Sequence, residues 1–117
     1  MSSAVVRRFN LAFGRQDVDA VMALSTDDTV LETTLPKPDG DRLCGHEAVR
    51  RYWEEFFRGT RDARFEAEEM FEAGDRCVVR WVFRWQEADG RPGHVRGVDL
   101  FRVRDGKVAE KLVYVKG

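Results

Sequence analysis

The spacing of the apolar residues changes in the middle of this 117-residue chain, from a helical period of about 3.6 residues to a strand period of two. The first half predicts three helices, at residues 3–14, after Asp17, and at residues 46–58. Strands are predicted at residues 29–35, 64–73, 76–87, 94–104 and 107–116. Helices followed by a mostly antiparallel meander of strands are typical of an α+β fold.

Length and charge limit the classes of protein to which the chain can belong. A length of 117 residues predicts a single domain, residues 1–117, that folds without a metal or disulfide. The 20 basic and 21 acidic residues give a net charge of −1, which argues against a nucleic-acid partner. The sequence shows neither a signal peptide nor a membrane-spanning run, so we expect no membrane partner and a cytoplasmic location.

Metal and disulfide chemistry have little support in the sequence. Cys44 and Cys77 are far apart, and neither has a partner at a metal-binding spacing. Cys77 lies within an apolar strand pattern, which predicts a buried free thiol. His46 and His94 lack a third matching ligand, so we expect no metal site.

The strand around Asp99 carries an acid on its apolar face. That face is formed by Val95, Gly97, Asp99, Phe101 and Val103. The opposite face carries three arginines and is expected to be solvated. A carboxyl group among apolar neighbours is costly unless it is paired or protonated. Asp99 is therefore the strongest candidate for a catalytic acid or base.

Two interpretations of Asp99 remain open from the strand pattern. In the functional one, Asp99 faces a ligand in an apolar pocket, and Gly97 leaves space there or allows the strand to bend. In the structural one, Asp99 pairs with a core group such as a tryptophan indole or a tyrosine hydroxyl. The residues predicted to form the pocket wall are Phe9, Phe13, Leu31, Thr33, Tyr52, Trp53, Phe56, Trp81, Phe83, Trp85 and Phe101.

Several segments taken together resemble the nuclear transport factor 2-like superfamily, most of all its ketosteroid isomerases and SnoaL-like polyketide cyclases. They are residues 4–9, 16–24, 27–30, 45–53, 97–102 and 105–108, so the likeness extends over most of the chain. The resemblance implies a cone-shaped barrel, a curved and mostly antiparallel sheet packed on the three N-terminal helices. It also implies a small apolar ligand between sheet and helices, and often a homodimer formed through the sheet.

Only some of the catalytic groups of the related enzymes have counterparts in this chain. Asp99 matches the protonated acid of the isomerase oxyanion hole, whereas Phe9 and Thr33 stand where the isomerases have a tyrosine and a general base. Steroid isomerisation is therefore disfavoured. The related epoxide hydrolases need an arginine and a second aspartate where this chain has Gly97 and Val113, so that activity is disfavoured too. The SnoaL-like cyclases are more compatible, because they have a single acid in an apolar cavity.

Three functional hypotheses follow from these patterns. The first is a cofactor-independent isomerase, cyclase or dehydratase that acts on a small apolar carbonyl compound, with Asp99 as the acid or base. The second is a noncatalytic domain of the same fold that binds a small ligand. The third is a dimerisation module whose cavity is filled by its own side chains.

Overall fold

Three helices and six strands form the computed structural model, which describes residues 1–60 and 62–117. The helices are α1 (Ser2–Gly14), α2 (Val18–Ala23) and α3 (His46–Gly59). The strands are β1 (Ser25–Glu32), β2 (Arg42–Cys44), β3 (Arg64–Ala73), β4 (Arg76–Gln86), β5 (Pro92–Arg104) and β6 (Lys107–Val115). The predicted α+β class and the order of helices and long strands are therefore confirmed.

The first strand differs most from its prediction. It begins at Ser25, four residues before the predicted start, in a polar stretch with no apolar alternation. Pairing with β6 explains this difference, because Ser25 lies opposite Val108 in a parallel ladder. Strand β2 was not predicted, since it has only three residues and is held by pairs such as Leu31 with Leu43.

The six strands form one curved sheet in the order β2-β1-β6-β5-β4-β3. Only the β1–β6 pair is parallel, and the other four neighbouring pairs are antiparallel. The ends of the sheet, β2 and β3, are not paired with each other in the part of the chain that the structure describes. The predicted barrel is therefore open at one side.

The helices cover the concave face of this sheet and bury their apolar stripes against it. Helix α1 buries Val6, Phe9 and Phe13 at helical spacing, and α3 buries Val49 and Trp53 in the same way. None of the helices in the described ranges is both long and apolar enough to cross a membrane.

Local contacts explain where the first two helices begin. The Asp17 carboxylate accepts a hydrogen bond from the Ala20 amide at 3.1 Å and so caps the N-terminus of α2. At the start of α1, the Ser3 amide donates a hydrogen bond of 2.8 Å to Glu72 from strand β3. These hydrogen bonds with Ser3 lower the pKa of Glu72 below its ordinary value. The carboxylate thus ties the first helix to the sheet.

The convex face of the sheet carries the predicted arginines together with apolar residues such as Val82 and Leu100. It carries cross-strand ion pairs, including Arg80 with Glu69 at 3.2 Å, and these side chains are more than half exposed. Such exposed pairs contribute at most about 1 kcal/mol each. Cys77 lies on the opposite, concave face, where burial raises the pKa of its thiol. Cys77 and the exposed Cys44 are both free thiols.

Candidate functional site

A cavity of about 130 Å³ lies between the concave face of the sheet and helices α1 and α3. Its walls are mostly aromatic and aliphatic, because both the sheet and the helices turn their apolar faces towards it. The lining residues are Phe13, Leu31, Thr33, Thr34, Tyr52, Trp53, Phe56, Phe65, Trp81, Phe83, Val95, Asp99, Lys111, Val113 and Val115. Asp99 and Lys111 are the only charged residues in this set.

Asp99 and Lys111 form an ion pair in the wall of the cavity. The ammonium nitrogen of Lys111 donates a hydrogen bond of 3.0 Å to Asp99 Oδ2, and the side chains are 6% and 1% exposed. The two residues belong to neighbouring antiparallel strands, in which Lys111 lies opposite Phe101 and Asp99 lies opposite Val113. This register places them diagonally on the concave face, within reach of one another.

Four aromatic rings surround the ammonium group. The Lys111 nitrogen lies 4.9 Å from the ring centre of Phe13, 5.2 Å from Phe101, 5.5 Å from Trp53 and 5.7 Å from Phe9. Cations within about 6 Å of a ring centre are attracted to its negative face. The rings and the Asp99 carboxylate together replace part of the hydration that Lys111 loses on burial.

The polar groups at the cavity have unused hydrogen-bonding capacity. Asp99 Oδ1 and Trp81 Nε1 are buried and have no hydrogen-bond partner among the described residues. Lys111 has three N–H donors, of which one binds Asp99. Two residues that line the cavity thus carry buried polar atoms with no protein partner among the described residues, and native proteins rarely leave such buried groups unpaired.

The ion pair defines what Asp99 can do chemically. A carboxylate that accepts a hydrogen bond from an ammonium is an acceptor, so it differs from the proton-donating acid of the isomerases. Its free oxygen, Oδ1, can accept a proton, and the adjacent ammonium can stabilise a developing negative charge on a ligand. A carboxylate and an ammonium group are thus adjacent in the wall of one mostly apolar cavity.

Eight of the predicted wall residues line the cavity beside Asp99. They are Phe13, Leu31, Thr33, Tyr52, Trp53, Phe56, Trp81 and Phe83. Burial, and to a lesser extent Asp41, raises the pKa of Tyr52, which keeps its phenol protonated. The Thr33 hydroxyl donates to the Leu35 carbonyl and accepts from the Asp41 amide, both at 2.9 Å. Thr33 therefore organises the loop after β1.

Three predicted wall residues are not among the lining residues. Phe9 and Phe101 are buried in the core, where their rings meet edge to face at 5.6 Å and contact Lys111 away from the cavity. Trp85 is half-buried and lies over Gly93, its partner on β5, where a side chain would meet the indole ring within 2.6 Å. Strand alternation places Phe101 and Trp85 on the concave face, and helical spacing places Phe9 on the buried face of α1. Neither pattern reveals how far each side chain lies from the cavity.

The absence of a side chain at Gly97 leaves room for the indole ring of Trp81. Gly97 is the partner of Trp81 across the β4–β5 ladder. A Cβ atom at Gly97 would clash with the backbone carbonyl oxygen of Tyr114 and would lie 2.6 Å from the Trp81 ring. The absence of a side chain at Gly97 therefore allows both the β6 backbone and the Trp81 ring to approach β5 closely.

Lys111 is the main site residue that the sequence patterns did not identify. A lysine in a strand is ordinarily taken to face solvent. In the structure Lys111 is only 5% exposed, whereas Tyr114 on the same strand is 55% exposed. One signal was present: Lys111 alternates in phase with Val113 and Val115, which indicates the buried face.

No group of three or more histidine, cysteine, aspartate or glutamate residues is placed to bind a metal ion within residues 1–60 and 62–117. The polar or ionisable side chains that line the cavity belong to Thr33, Thr34, Tyr52, Trp53, Trp81, Asp99 and Lys111.

The curved sheet, the three N-terminal helices and the enclosed acidic residue define a domain of the nuclear transport factor 2-like class. A family model described as a SnoaL-like domain matches residues 6–111, which is most of the chain. The protein belongs to this SnoaL-like family. No curated protein sequence is significantly similar to it.

Comparison with solved structures agrees with this assignment. A nuclear transport factor 2-like protein of unknown function from Mesorhizobium loti is 41% identical, with a TM-score of 0.82. The match covers 99% of this chain and 91% of that one. A candidate polyketide cyclase from Xanthomonas campestris is 21% identical over 98% of this chain and 90% of its own, with a TM-score of 0.79. One from Sinorhizobium meliloti is 23% identical over 95% and 94%, with a TM-score of 0.77. At these lower identities the two cyclases demonstrate a shared fold.

Proposed function

We propose that the protein is a cofactor-independent enzyme that moves a proton on a small, mostly apolar carbonyl compound, in a reaction of isomerase, cyclase or dehydratase type. The observation that carries this proposal is the free Oδ1 of the buried Asp99 carboxylate, next to the Lys111 ammonium at the cavity. The description of two structural neighbours as candidate polyketide cyclases is consistent with it.

The proposed chemistry begins with a ligand carbonyl oxygen that accepts a hydrogen bond from Lys111. Asp99 Oδ1 then removes a proton from the carbon next to the carbonyl group. The electron pair of the broken C–H bond forms a carbon–carbon double bond, and the carbonyl oxygen becomes an enolate oxygen. The ammonium group stabilises this oxygen, and the aromatic walls exclude water and strengthen that attraction.

The fate of the enolate distinguishes the three reaction types. Return of the proton from Asp99 to another carbon gives an isomer. Attack of the enolate carbon on a second carbonyl group within the ligand closes a ring, and the new alkoxide takes up the proton. Expulsion of a hydroxyl group from the next carbon gives an unsaturated ketone, and the departing hydroxide leaves with that proton as water. Each outcome returns Asp99 to its starting state.

The test is hydrogen–deuterium exchange at the carbon next to a carbonyl, because every one of these reactions begins with removal of a proton from that carbon. Cyclohexanone in D₂O is the probe, and proton NMR measures its loss of signal. We expect the protein to accelerate exchange and Asp99→Asn to lower the rate by about 10²- to 10⁴-fold. Glu47→Gln is the matched control, because that carboxylate is on the surface with 88% of its side chain exposed.

The stability of the variant must be measured beside its rate. Asp99→Asn leaves Lys111 without its acidic partner, so folding is checked by circular dichroism at the assay temperature. If this variant does not fold, Asp99→Asn combined with Lys111→Met carries the test, because it leaves no charge at the cavity. Exchange that survives in a folded variant at the wild-type rate would falsify the role of Asp99.

A noncatalytic ligand-binding domain is the second candidate. It is favoured by Phe9, which has no hydroxyl, and by Thr33, whose hydroxyl is engaged with the backbone. Neither can supply the groups that the isomerases use at these places. Ring ketones that bind to the cavity without any acceleration of exchange would favour this second candidate over the enzyme.

A further inference from the structure

Lys111 differs from the other lysines of the chain in its surroundings. All four lysines lie within the described residues, and Lys111 is the only buried one, since Lys37, Lys107 and Lys116 are exposed. We propose that its amino group forms a covalent iminium, a protonated C=N bond, with an aldehyde or ketone in the cavity. From the proposed function we take only that the ligand carries a carbonyl group. The covalent bond is an addition to it, because there Lys111 only donates a hydrogen bond.

The amino group of Lys111 lies where the cavity meets the core. Its nitrogen is 4.9 Å from the ring centre of Phe13 and 5.5 Å from that of Trp53, and both of these residues line the cavity. The rings of Phe9 and Phe101, which belong to the core, are 5.7 and 5.2 Å away. Lys111 carries the only amine among the residues that line the cavity. A carbonyl group in the cavity therefore has this one amine beside it.

Asp99 is placed to take the proton that the amine must lose. A lysine attacks a carbonyl carbon only in its uncharged form, and buried lysines are the ones that proteins use for such bonds. In the ion pair the proton is on Lys111, whose nitrogen already donates a hydrogen bond of 3.0 Å to Asp99 Oδ2. Transfer of the proton along this bond gives an amine beside a carboxylic acid. The pair carries no net charge before or after the transfer.

The covalent step conserves atoms and charge. The amine nitrogen attacks the carbonyl carbon, and the carbonyl oxygen takes the proton from Asp99 and becomes a hydroxyl group. Asp99 then removes a proton from the newly bonded nitrogen and gives it to the hydroxyl group, which leaves as water. The lone pair of the nitrogen forms the C=N bond, so a positively charged iminium lies beside the Asp99 carboxylate. One positive and one negative charge are present at the start and at the end.

The fate of the ligand oxygen distinguishes the iminium from a hydrogen bond. If Lys111 only donates a hydrogen bond, the oxygen stays on the ligand throughout. If the iminium forms, that oxygen leaves as water, and hydrolysis of the iminium puts an oxygen atom of the solvent in its place. The iminium also facilitates the proposed removal of a proton from the next carbon, because its positive nitrogen takes up the electron pair of the broken C–H bond.

Reductive trapping detects the iminium in the wild-type protein. The protein is incubated with cyclohexanone or benzaldehyde and sodium cyanoborohydride, which reduces an iminium to a stable amine, and peptide mass spectrometry locates the product. The modified lysine gains the mass of the probe less its oxygen atom. We expect Lys111 to be modified at least about tenfold faster than Lys37, Lys107 or Lys116, because the cavity holds the carbonyl group next to it. Modification of Lys111 no faster than that of the exposed lysines would overturn the inference.

Exchange of the ketone oxygen tests the same bond without a reductant. Cyclohexanone is incubated in water labelled with heavy oxygen, and mass spectrometry measures its gain of the label. We expect the wild-type protein to accelerate this exchange and Lys111→Met to lower the rate at least about tenfold. Lys111→Arg keeps a positive charge and N–H donors but cannot form the iminium, so it should lose the acceleration too. Lys107→Met is the matched control, because Lys107 is exposed.

The wild-type results decide the matter even if a variant at Lys111 does not fold. An oxygen exchange no faster with the wild-type protein than without it would contradict the iminium. If cyclohexanone exchanges its hydrogen atoms but not its oxygen, and Lys111 is not trapped, the proposed function stands and the iminium does not. If Lys111 is trapped and the oxygen exchanges while the hydrogen atoms do not, the iminium stands and the proposed proton transfer does not.

Discussion

The Asp99–Lys111 pair should show strong energetic coupling in a double-mutant cycle. The perturbations are Asp99→Asn, Lys111→Met and the two combined. At 3.0 Å and an effective dielectric constant of about 20, the attraction between two unit charges is about 5 kcal/mol. Removing one partner leaves the other charge buried and unpaired, so we expect each single variant to lose about 3–5 kcal/mol of unfolding free energy.

The double variant distinguishes a pair from two independent side chains. It buries no charge, and its main cost is an unpaired amide at position 99, about 1–3 kcal/mol. The sum of the two single losses should therefore exceed the loss in the double variant by about 3 kcal/mol or more. Urea unfolding followed by fluorescence of the three tryptophans measures each value.

The convex face offers a control cycle within the same sheet. Arg80 and Glu69 lie 3.2 Å apart on neighbouring strands, with 57% of each side chain exposed. Their coupling should be below about 1 kcal/mol, because water screens an exposed pair. A coupling between Asp99 and Lys111 as small as that of this control would refute the assignment of a buried ion pair.

Two further predictions concern stability. The hydrogen bonds with Ser3 lower the pKa of Glu72 in the folded protein, so their stabilisation is present at neutral pH and is lost as the pH falls below about 4. Between pH 7 and 3, the melting temperature should fall less for Glu72→Gln than for the wild-type protein. An equal fall in melting temperature would contradict this role of Glu72. Gly97→Ala should cost about 1–3 kcal/mol, since the added Cβ would clash with the Tyr114 carbonyl oxygen and would lie 2.6 Å from the Trp81 ring. Gly59→Ala is the control, because a Cβ atom added at Gly59 would meet no other atom within 4 Å. Equal stability of the two variants would count against the close packing at Gly97.

The long strands were predictable because their two faces differ so clearly. In β5, alternation predicted that Gly97, Asp99 and Phe101 face inwards, and all three are buried. Strand β2 was not predictable in the same way, because three residues are too few to show a period. Its existence depends on hydrogen bonds to β1, which only the folded sheet supplies.

The sequence predicted one of the two charged residues of the candidate site, Asp99, and not its partner. Alternation alone indicated a buried acid, but the identity of its partner depends on the register between β5 and β6, which a single sequence does not show. One of the two interpretations left open paired Asp99 with a core group such as a tryptophan indole or a tyrosine hydroxyl, and the core group in contact is Lys111. A lysine in phase with two valines, opposite a strand that carries a buried aspartate, is the pattern that would have indicated the pair.

Stability gives no reason for the chain to retain this pair. Replacement of a buried ion pair by apolar side chains of similar volume is commonly neutral or stabilising by about 1–4 kcal/mol. Here the pair also comes with two buried polar atoms, Asp99 Oδ1 and Trp81 Nε1, that no described residue satisfies. The residues that carry these groups line one cavity, whose other lining residues are threonines, Tyr52 and apolar side chains. Under the proposed function, a ligand that hydrogen-bonds to these groups would compensate the cost of burying them, which is our reason for proposing a binding site and not a purely structural pair.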